Sequence, residues 1–115
     1  MSENFNPAEA LDRLAGDDEL LREVVELVHE EWLRQSNALE DALRRSDAPA
    51  VAVAAHSLKG AVGQLASGDL AAGAAQVERA ARAGDLAAAE ESWRRAVPQI
   101  EGLIAAAREW AREPQ

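Results

Sequence analysis

Apolar residues recur three and four positions apart along most of this 115-residue chain, a spacing that places them on one side of an α-helix. One such stretch runs from Leu20 through Leu27 to Leu43, and another runs from Leu86 to Ala111. Alanine, the strongest helix former, accounts for 27 residues, whereas the aromatic residues that favour strands make up 3%. We therefore predict an all-α fold.

Start and stop signals divide the chain into five helices. Asn6-Pro7 and Asp47-Ala48-Pro49 join a capping side chain to a proline near the first helical position. Gly68-Asp69 and Gly84-Asp85 each combine a break with a cap. The predicted helices cover residues 6–15, 18–45, 48–66, 69–83 and 85–112. Because short connections make successive helices antiparallel neighbours, we predict a single domain over residues 1–115, an up-down four-helix bundle with a short additional N-terminal helix.

The overall charge and composition exclude several classes of function. The chain has 21 acidic and 12 basic residues and a net charge of −9, which argues against nucleic acid and anionic membranes as partners. It has no cysteine, and therefore no disulfide framework, thiolate metal site or thiol nucleophile. No apolar run approaches the ~20 residues that cross a bilayer, and the N-terminal residues do not form a signal peptide. We expect a cytoplasmic protein.

Residues 48–68 differ from the rest because they contain no acidic residue and one base, Lys59, which is the only lysine in the chain. On a helix, His56 lies away from the apolar side. The residues that share its face are Ala52, Lys59, Gly60 and Gly63. Each glycine costs a helix about 1 kcal/mol relative to alanine. We infer that the small residues leave the imidazole open to a large partner.

Antiparallel packing of the third and fourth helices brings further groups to the level of His56. If their connection centres on residues 67–68, residue 56 lies level with residue 79, and the charged groups at that height are Glu78, Arg79 and Arg82. A carboxylate at Glu78 could accept the Nδ1–H of His56 and fix the tautomer in which Nε2 is the nucleophile. Lys59 could neutralise a phosphoryl group on Nε2. The spacing of Glu78 and Arg82 also fits an ordinary surface ion pair.

The segment His56-Ser57-Leu58-Lys59-Gly60 resembles the signature of histidine-containing phosphotransfer (HPt) domains. That signature reads His, any residue, Leu or Ile, Lys, Gly, on the third helix of a helical bundle. Similarity to the family extends to Asp18–Leu21, to Ala54-Ala55, and on the fourth helix to Leu70, Val77-Glu78 and Ala80-Ala81-Arg82. The resemblance implies that His56 accepts the phosphoryl group, that Lys59 neutralises it and that Gly60 gives access to it.

Other residues are expected to support this site or to dock a partner. The supporting residues are Glu78, Arg82, Gly63 and Gln64. The docking candidates are Ala52, Ala55, Gly60 and Gly63, together with exposed parts of the second helix. The chain departs from the family pattern at Ala66, where glycine is common, and at Gln64, where asparagine or a small residue is more usual. Both departures concern the end of the third helix.

The resemblance implies a phosphorelay carrier in two-component signalling. Its partners would be the receiver domains of hybrid sensor histidine kinases and of response regulators, and His56 would carry the phosphoryl group between their aspartates. The chain has no Gly-rich phosphate loop, so we expect neither an ATP site nor an autokinase. We also expect a monomer that binds no metal or cofactor, with Mg²⁺ belonging to the receiver.

Two other functions compete with phosphotransfer. The bundle could be an adaptor that binds a receiver or kinase domain without transferring phosphate. A metal-binding bundle is disfavoured because the chain lacks Glu-x-x-His pairs on two of its helices.

Overall fold

A computed structural model describes residues 5–66 and 68–113, and within these ranges the regular structure is entirely α-helical. The helices are α1 (Pro7–Arg13), α2 (Asp18–Arg44), α3 (Ala48–Leu65), α4 (Asp69–Arg82) and α5 (Leu86–Arg112). They confirm the predicted all-α bundle. None of the helices in the described part of the chain has the length and hydrophobicity that crossing a bilayer requires.

The four long helices form a closed ring of antiparallel neighbours. Each helix packs on the next along the chain, and α2 packs on α5. Arg22, near the start of α2, donates a hydrogen bond to the carbonyl of Ala111, near the end of α5. Trp93, near the start of α5, donates to Glu40, near the end of α2, at 3.2 Å. This pairing of starts with ends shows that α2 and α5 run in opposite directions.

Aspartate and asparagine side chains begin four of the five helices. Asn6, Asp17, Asp47 and Asp85 each accept a hydrogen bond from the backbone N–H three residues later, at 3.0–3.2 Å. The prediction that Asp69 caps α4 is wrong, because Gly68 occupies the cap position and no side chain bonds there. Gly68 has φ 73°, a conformation that glycine adopts without strain. Asp69 is therefore the first residue of α4 and not its cap.

Leucine, isoleucine and valine fill the centre of the bundle, and small residues let its helices approach closely. Leu39 and Leu103 have no exposed surface, and Leu58 has 1%. A Cβ atom at Gly73 would lie 3.2 Å from the Cβ of Ala96, so glycine permits the close approach of α4 to α5.

α3, the helix that carries His56, ends without a left-handed residue. Ala66 follows its last residue with φ −154° and ψ 161°, an extended conformation that alanine adopts without strain. The alanine that departs from the family pattern is therefore compatible with this helix end. Arg13 of α1 reaches the same turn and donates hydrogen bonds to the carbonyls of Gly63 and Gln64, each at 3.1 Å.

Candidate functional site

His56 lies on the outer side of α3, where 62% of its side chain is exposed. The buried side of the same helix faces the rest of the bundle. Its buried residues are Val51, Ala52, Ala54, Ala55, Leu58, Ala61, Val62 and Leu65. Since these positions follow the helical period, burying them turns the imidazole towards solvent.

Glu78 of α4 bridges the two helices through its carboxylate, which is almost completely buried. Its Oε2 lies 3.1 Å from Nδ1 of His56, and its Oε1 lies 3.0 Å from Nζ of Lys59. Arg82, one turn further along α4, donates to Oε2 from Nη2 at 2.7 Å and from Nε at 3.0 Å. The register expected for antiparallel α3 and α4 therefore brings these four side chains together.

The two cations keep Glu78 ionised. Hydrogen bonds from Lys59, and then from Arg82, lower the pKa of this carboxyl from 4.5 to about 2, with His56 contributing less. Burial acts in the opposite direction because it raises the pKa by disfavouring the charged form. The favourable hydrogen bonds outweigh burial, so the group beside the imidazole at neutral pH is a carboxylate.

An ionised carboxylate determines the tautomer of the neutral His56 ring. Glu78 can only accept a hydrogen bond, so Nδ1 must carry the ring proton in the bond between them. The lone pair then lies on Nε2, which makes no hydrogen bond to any residue in the described ranges. The arrangement exposes Nε2 to solvent as a nucleophile, while the hydrogen bond from Nδ1 to Glu78 holds the ring in place.

A shallow groove of about 480 Å³ runs beside the imidazole between α2 and α3. Its lining residues are Leu27, Val28, Glu30, Glu31, Arg34, His56, Ser57, Gly60, Ala61 and Gln64. The α2 wall is a feature that the sequence pattern missed, because Leu27 belongs to the apolar series of that helix but is 61% exposed. Its neighbour Val28 is buried instead, because α2 is rotated so that Leu21, Val25 and Val28 face the core.

Gly60 and Gly63 lie at exposed positions of α3 where no close contact requires a glycine. A Cβ atom at either position would meet nothing within 4 Å. Internal packing therefore does not explain the two glycines, and the open space above them is available to a partner. Lys59 and Gln64 are also accessible beside them.

The prediction that Ala52 and Ala55 form part of a docking surface is wrong. Ala55 has no exposed surface and Ala52 has 6%, so together they offer almost no surface to a partner. Ala55 lies one turn from both Val51 and Leu58 on the apolar side of α3, and Ala52 is covered because α3 packs against both α2 and α4. Val53 is the exposed apolar residue of this turn, with 67% of its surface accessible.

His29, the other histidine, does not take part in this cluster. It is a half-buried residue of α2, and its Nδ1 is buried without a hydrogen-bond partner. Among residues 5–66 and 68–113, no group of three or more His, Cys, Asp or Glu side chains is arranged to hold a metal ion.

The ion-pair cluster predicts a pH dependence of stability. Because folding lowers the pKa of Glu78, its contribution to stability is complete above pH 4.5 and is lost as the pH falls towards 2. We expect the free energy of unfolding of the wild type to fall more across this pH interval than that of Glu78→Gln, which has no titratable group at position 78. Urea unfolding of both proteins through the interval measures the difference, and equal losses would contradict the ion-pair assignment.

A family model described as Hpt domain matches residues 19–110, which run from the first turn of α2 into the last turn of α5. No curated protein and no solved structure matches the chain. The matched range contains the whole cluster around His56.

Proposed function

The chain belongs to the HPt domain family, and on that basis we propose that it carries a phosphoryl group on Nε2 of His56 between receiver domains. Membership implies a phosphotransfer role in two-component signalling, as a phosphocarrier rather than a kinase. The observation that supports the finer assignment is the exposed imidazole, whose Nδ1 lies 3.1 Å from the ionised carboxylate of Glu78.

In the proposed reaction, Nε2 of His56 attacks the phosphorus of a receiver's phospho-aspartate in line with the bond that breaks. The N–P bond forms, the P–O bond breaks, and the receiver's aspartate leaves as a carboxylate. The ring keeps its Nδ1 proton throughout, and Glu78 stabilises the positive charge that develops on the imidazole. The reverse reaction with a second receiver returns the chain to its starting state. We propose that Mg²⁺ is supplied by the receiver and not by this chain.

Lys59 is proposed to change partners during transfer. In the unphosphorylated chain its ammonium bonds to Glu78, yet 40% of the side chain is exposed and it lies one turn from His56. A phosphoryl group on Nε2 would offer a second anion to the same flexible cation. Arg82, with 63% of its side chain exposed and the same carboxylate as partner, is proposed to assist.

Lys59→Ala is expected to slow phosphoryl transfer by about tenfold, since a hydrogen bond to a charged group contributes roughly 1.5–3 kcal/mol. The fold should be retained because His56 and Arg82 still bond to the buried Glu78 carboxylate, but the loss of one cation should lower the free energy of unfolding. Rapid-quench transfer assays and thermal unfolding measure the two effects. Arg95→Ala, which removes an exposed cation on α5, is the control, and equal transfer rates in both variants would exclude this role for Lys59.

Gly60→Ala is expected to change stability and transfer in opposite directions. Alanine should raise the free energy of unfolding by roughly 0.5–1 kcal/mol, because the helix tolerates its Cβ without a clash. Transfer from a receiver should become slower because the added methyl group occupies the space beside the imidazole. Denaturant unfolding and transfer kinetics on the same preparation test both, and a stabilised variant that transfers at the wild-type rate would show that the clearance is not used.

The function itself is tested by incubating the chain with a phosphorylated receiver domain and Mg²⁺. We expect intact-mass measurement to show one added phosphoryl group that is labile in acid and stable in base, as a phosphoramidate is. A complex with the receiver that never yields the phosphorylated chain would instead support the non-transferring adaptor.

A further inference from the structure

Within the described residues, the C-terminal turn of α3 is capped neither by a basic side chain of its own nor by a left-handed residue. The last four carbonyls of a helix have no partner within the helix, and basic side chains or a left-handed residue often satisfy them. Here the last turn contains no basic residue, and Ala66 is extended, with its N–H bonded to the carbonyl of Val62. The carbonyls of Gly63 and Gln64 are therefore left to bond to water or to a donor from another helix.

Arg13 of α1 supplies that donor from 50 residues away. Its Nη1 lies 3.1 Å from both carbonyl oxygens, so one guanidinium nitrogen bridges two residues of the turn. Its Nη2 bonds to Glu9 at 2.7 Å, which fixes the guanidinium on α1. A positive charge at this end also interacts favourably with the α3 dipole. Arg13 and Glu9 lie outside residues 19–110, the range that the family model matches.

The turn held by Arg13 forms part of the groove beside His56. Gly60 and Gln64 line that groove, and Gly63 is exposed between them. Glycines at positions 60 and 63 make this end of the helix less stable than alanines would. The hydrogen bonds from Arg13 therefore help to keep the last turn of α3 helical and to preserve the shape of the groove.

We propose that Arg13 is a positioning residue, which holds the end of α3 in the conformation that a receiver domain binds. The inference rests on the proposed function, because it assigns α1 a role in docking for the transfer to His56. Arg13 acts through backbone carbonyls of α3 and makes no hydrogen bond or ion pair with the imidazole. Its removal should therefore affect the encounter with a large partner and leave the reactivity of the ring unchanged.

The test compares Arg13→Ala with Arg94→Ala. Both arginines pair with a glutamate four residues earlier, at 2.7 and 2.8 Å, and both substitutions remove one positive charge. Arg94 makes no hydrogen bond to another helix of the described chain, which makes it a matched control. Arg13→Lys keeps the charge and one flexible donor group, and we expect it to restore part of the lost function.

Three measurements are made on each variant. We expect Arg13→Ala to accelerate amide hydrogen exchange at residues 64–66 by about tenfold, as local unfolding of the last turn becomes easier. Transfer from a phosphorylated receiver should fall by about tenfold, whereas phosphorylation of His56 by phosphoramidate, a donor too small to need docking, should keep its wild-type rate. Arg94→Ala should match the wild type in all three.

The results separate this inference from the function on which it rests. Unchanged exchange at residues 64–66, unchanged transfer from the receiver, or an equal fall with both donors would each overturn the positioning role of Arg13. If the wild type accepts no phosphoryl group from either donor, the proposed function fails, while the exchange comparison still reports on the cap.

Discussion

His56→Gln is expected to abolish acceptance of a phosphoryl group while leaving the protein folded. The side-chain amide of glutamine can still donate a hydrogen bond to the Glu78 carboxylate. Its nitrogen lone pair is delocalised into the carbonyl group and is not available to attack phosphorus. The side chain is 62% exposed, so we expect the free energy of unfolding to change by no more than about 1 kcal/mol. Intact-mass measurement after incubation with a phosphorylated receiver reports the first effect, and thermal unfolding reports the second.

His29→Gln is the matched control, because His29 is the only other histidine in the chain. It lies on α2 outside the Glu78 cluster, and its Nδ1 is buried without a partner. We expect this variant to accept phosphate at the wild-type rate. Phosphorylation of His56→Gln at that rate, or loss of phosphorylation in His29→Gln, would place the phosphoryl group on a residue other than His56.

Leu58→Ala is expected to lower the free energy of unfolding by about 2–5 kcal/mol, although Leu58 belongs to the same five-residue motif as His56. Its side chain is 1% exposed within the core, so truncation removes apolar contacts and leaves a cavity. The folded fraction should still accept phosphate, since the site lies on the opposite side of α3. Urea unfolding followed by tryptophan fluorescence measures the loss, because the rings of Trp32 and Trp93 are packed 5.5 Å apart in the bundle.

Val53→Ala provides the comparison for Leu58, because Val53 lies on the same helix but is 67% exposed. Substitutions at exposed positions usually change stability by less than about 0.5 kcal/mol. A similar loss in the two variants would contradict the division of α3 into a buried side and a reactive side.

Periodicity and register were sufficient to predict the chemical part of the site. The spacing of apolar residues along α3 determines which side of the helix is buried, and this places His56 on the outside. The short connection to α4 fixes the height at which the two helices face each other, which explains the contact between His56 and Glu78. The buried side of α3 and the register between α3 and α4 both follow from the regular geometry of the α-helix.

The rest of the site depends on how whole helices are rotated and on contacts between distant residues. The burial of Ala52 follows from α3 having neighbours on two sides, which no pattern within α3 reveals, whereas Ala55 lies on the apolar side that the spacing of α3 itself defines. The exposure of Leu27 depends in the same way on the rotation of α2. Arg13 binds backbone carbonyls, which every residue has, so no sequence signature could identify its partners.

Nuclear magnetic resonance of the His56 ring in the ¹⁵N-labelled, phosphorylated protein tests directly which atom carries the phosphoryl group. Coupling between phosphorus and the ring nitrogens identifies the phosphorylated atom, and the ¹⁵N shifts identify the protonated one. We predict phosphorus on Nε2 and a proton on Nδ1, the nitrogen that lies 3.1 Å from Glu78. Phosphorus on Nδ1, or on a residue other than His56, would contradict the account.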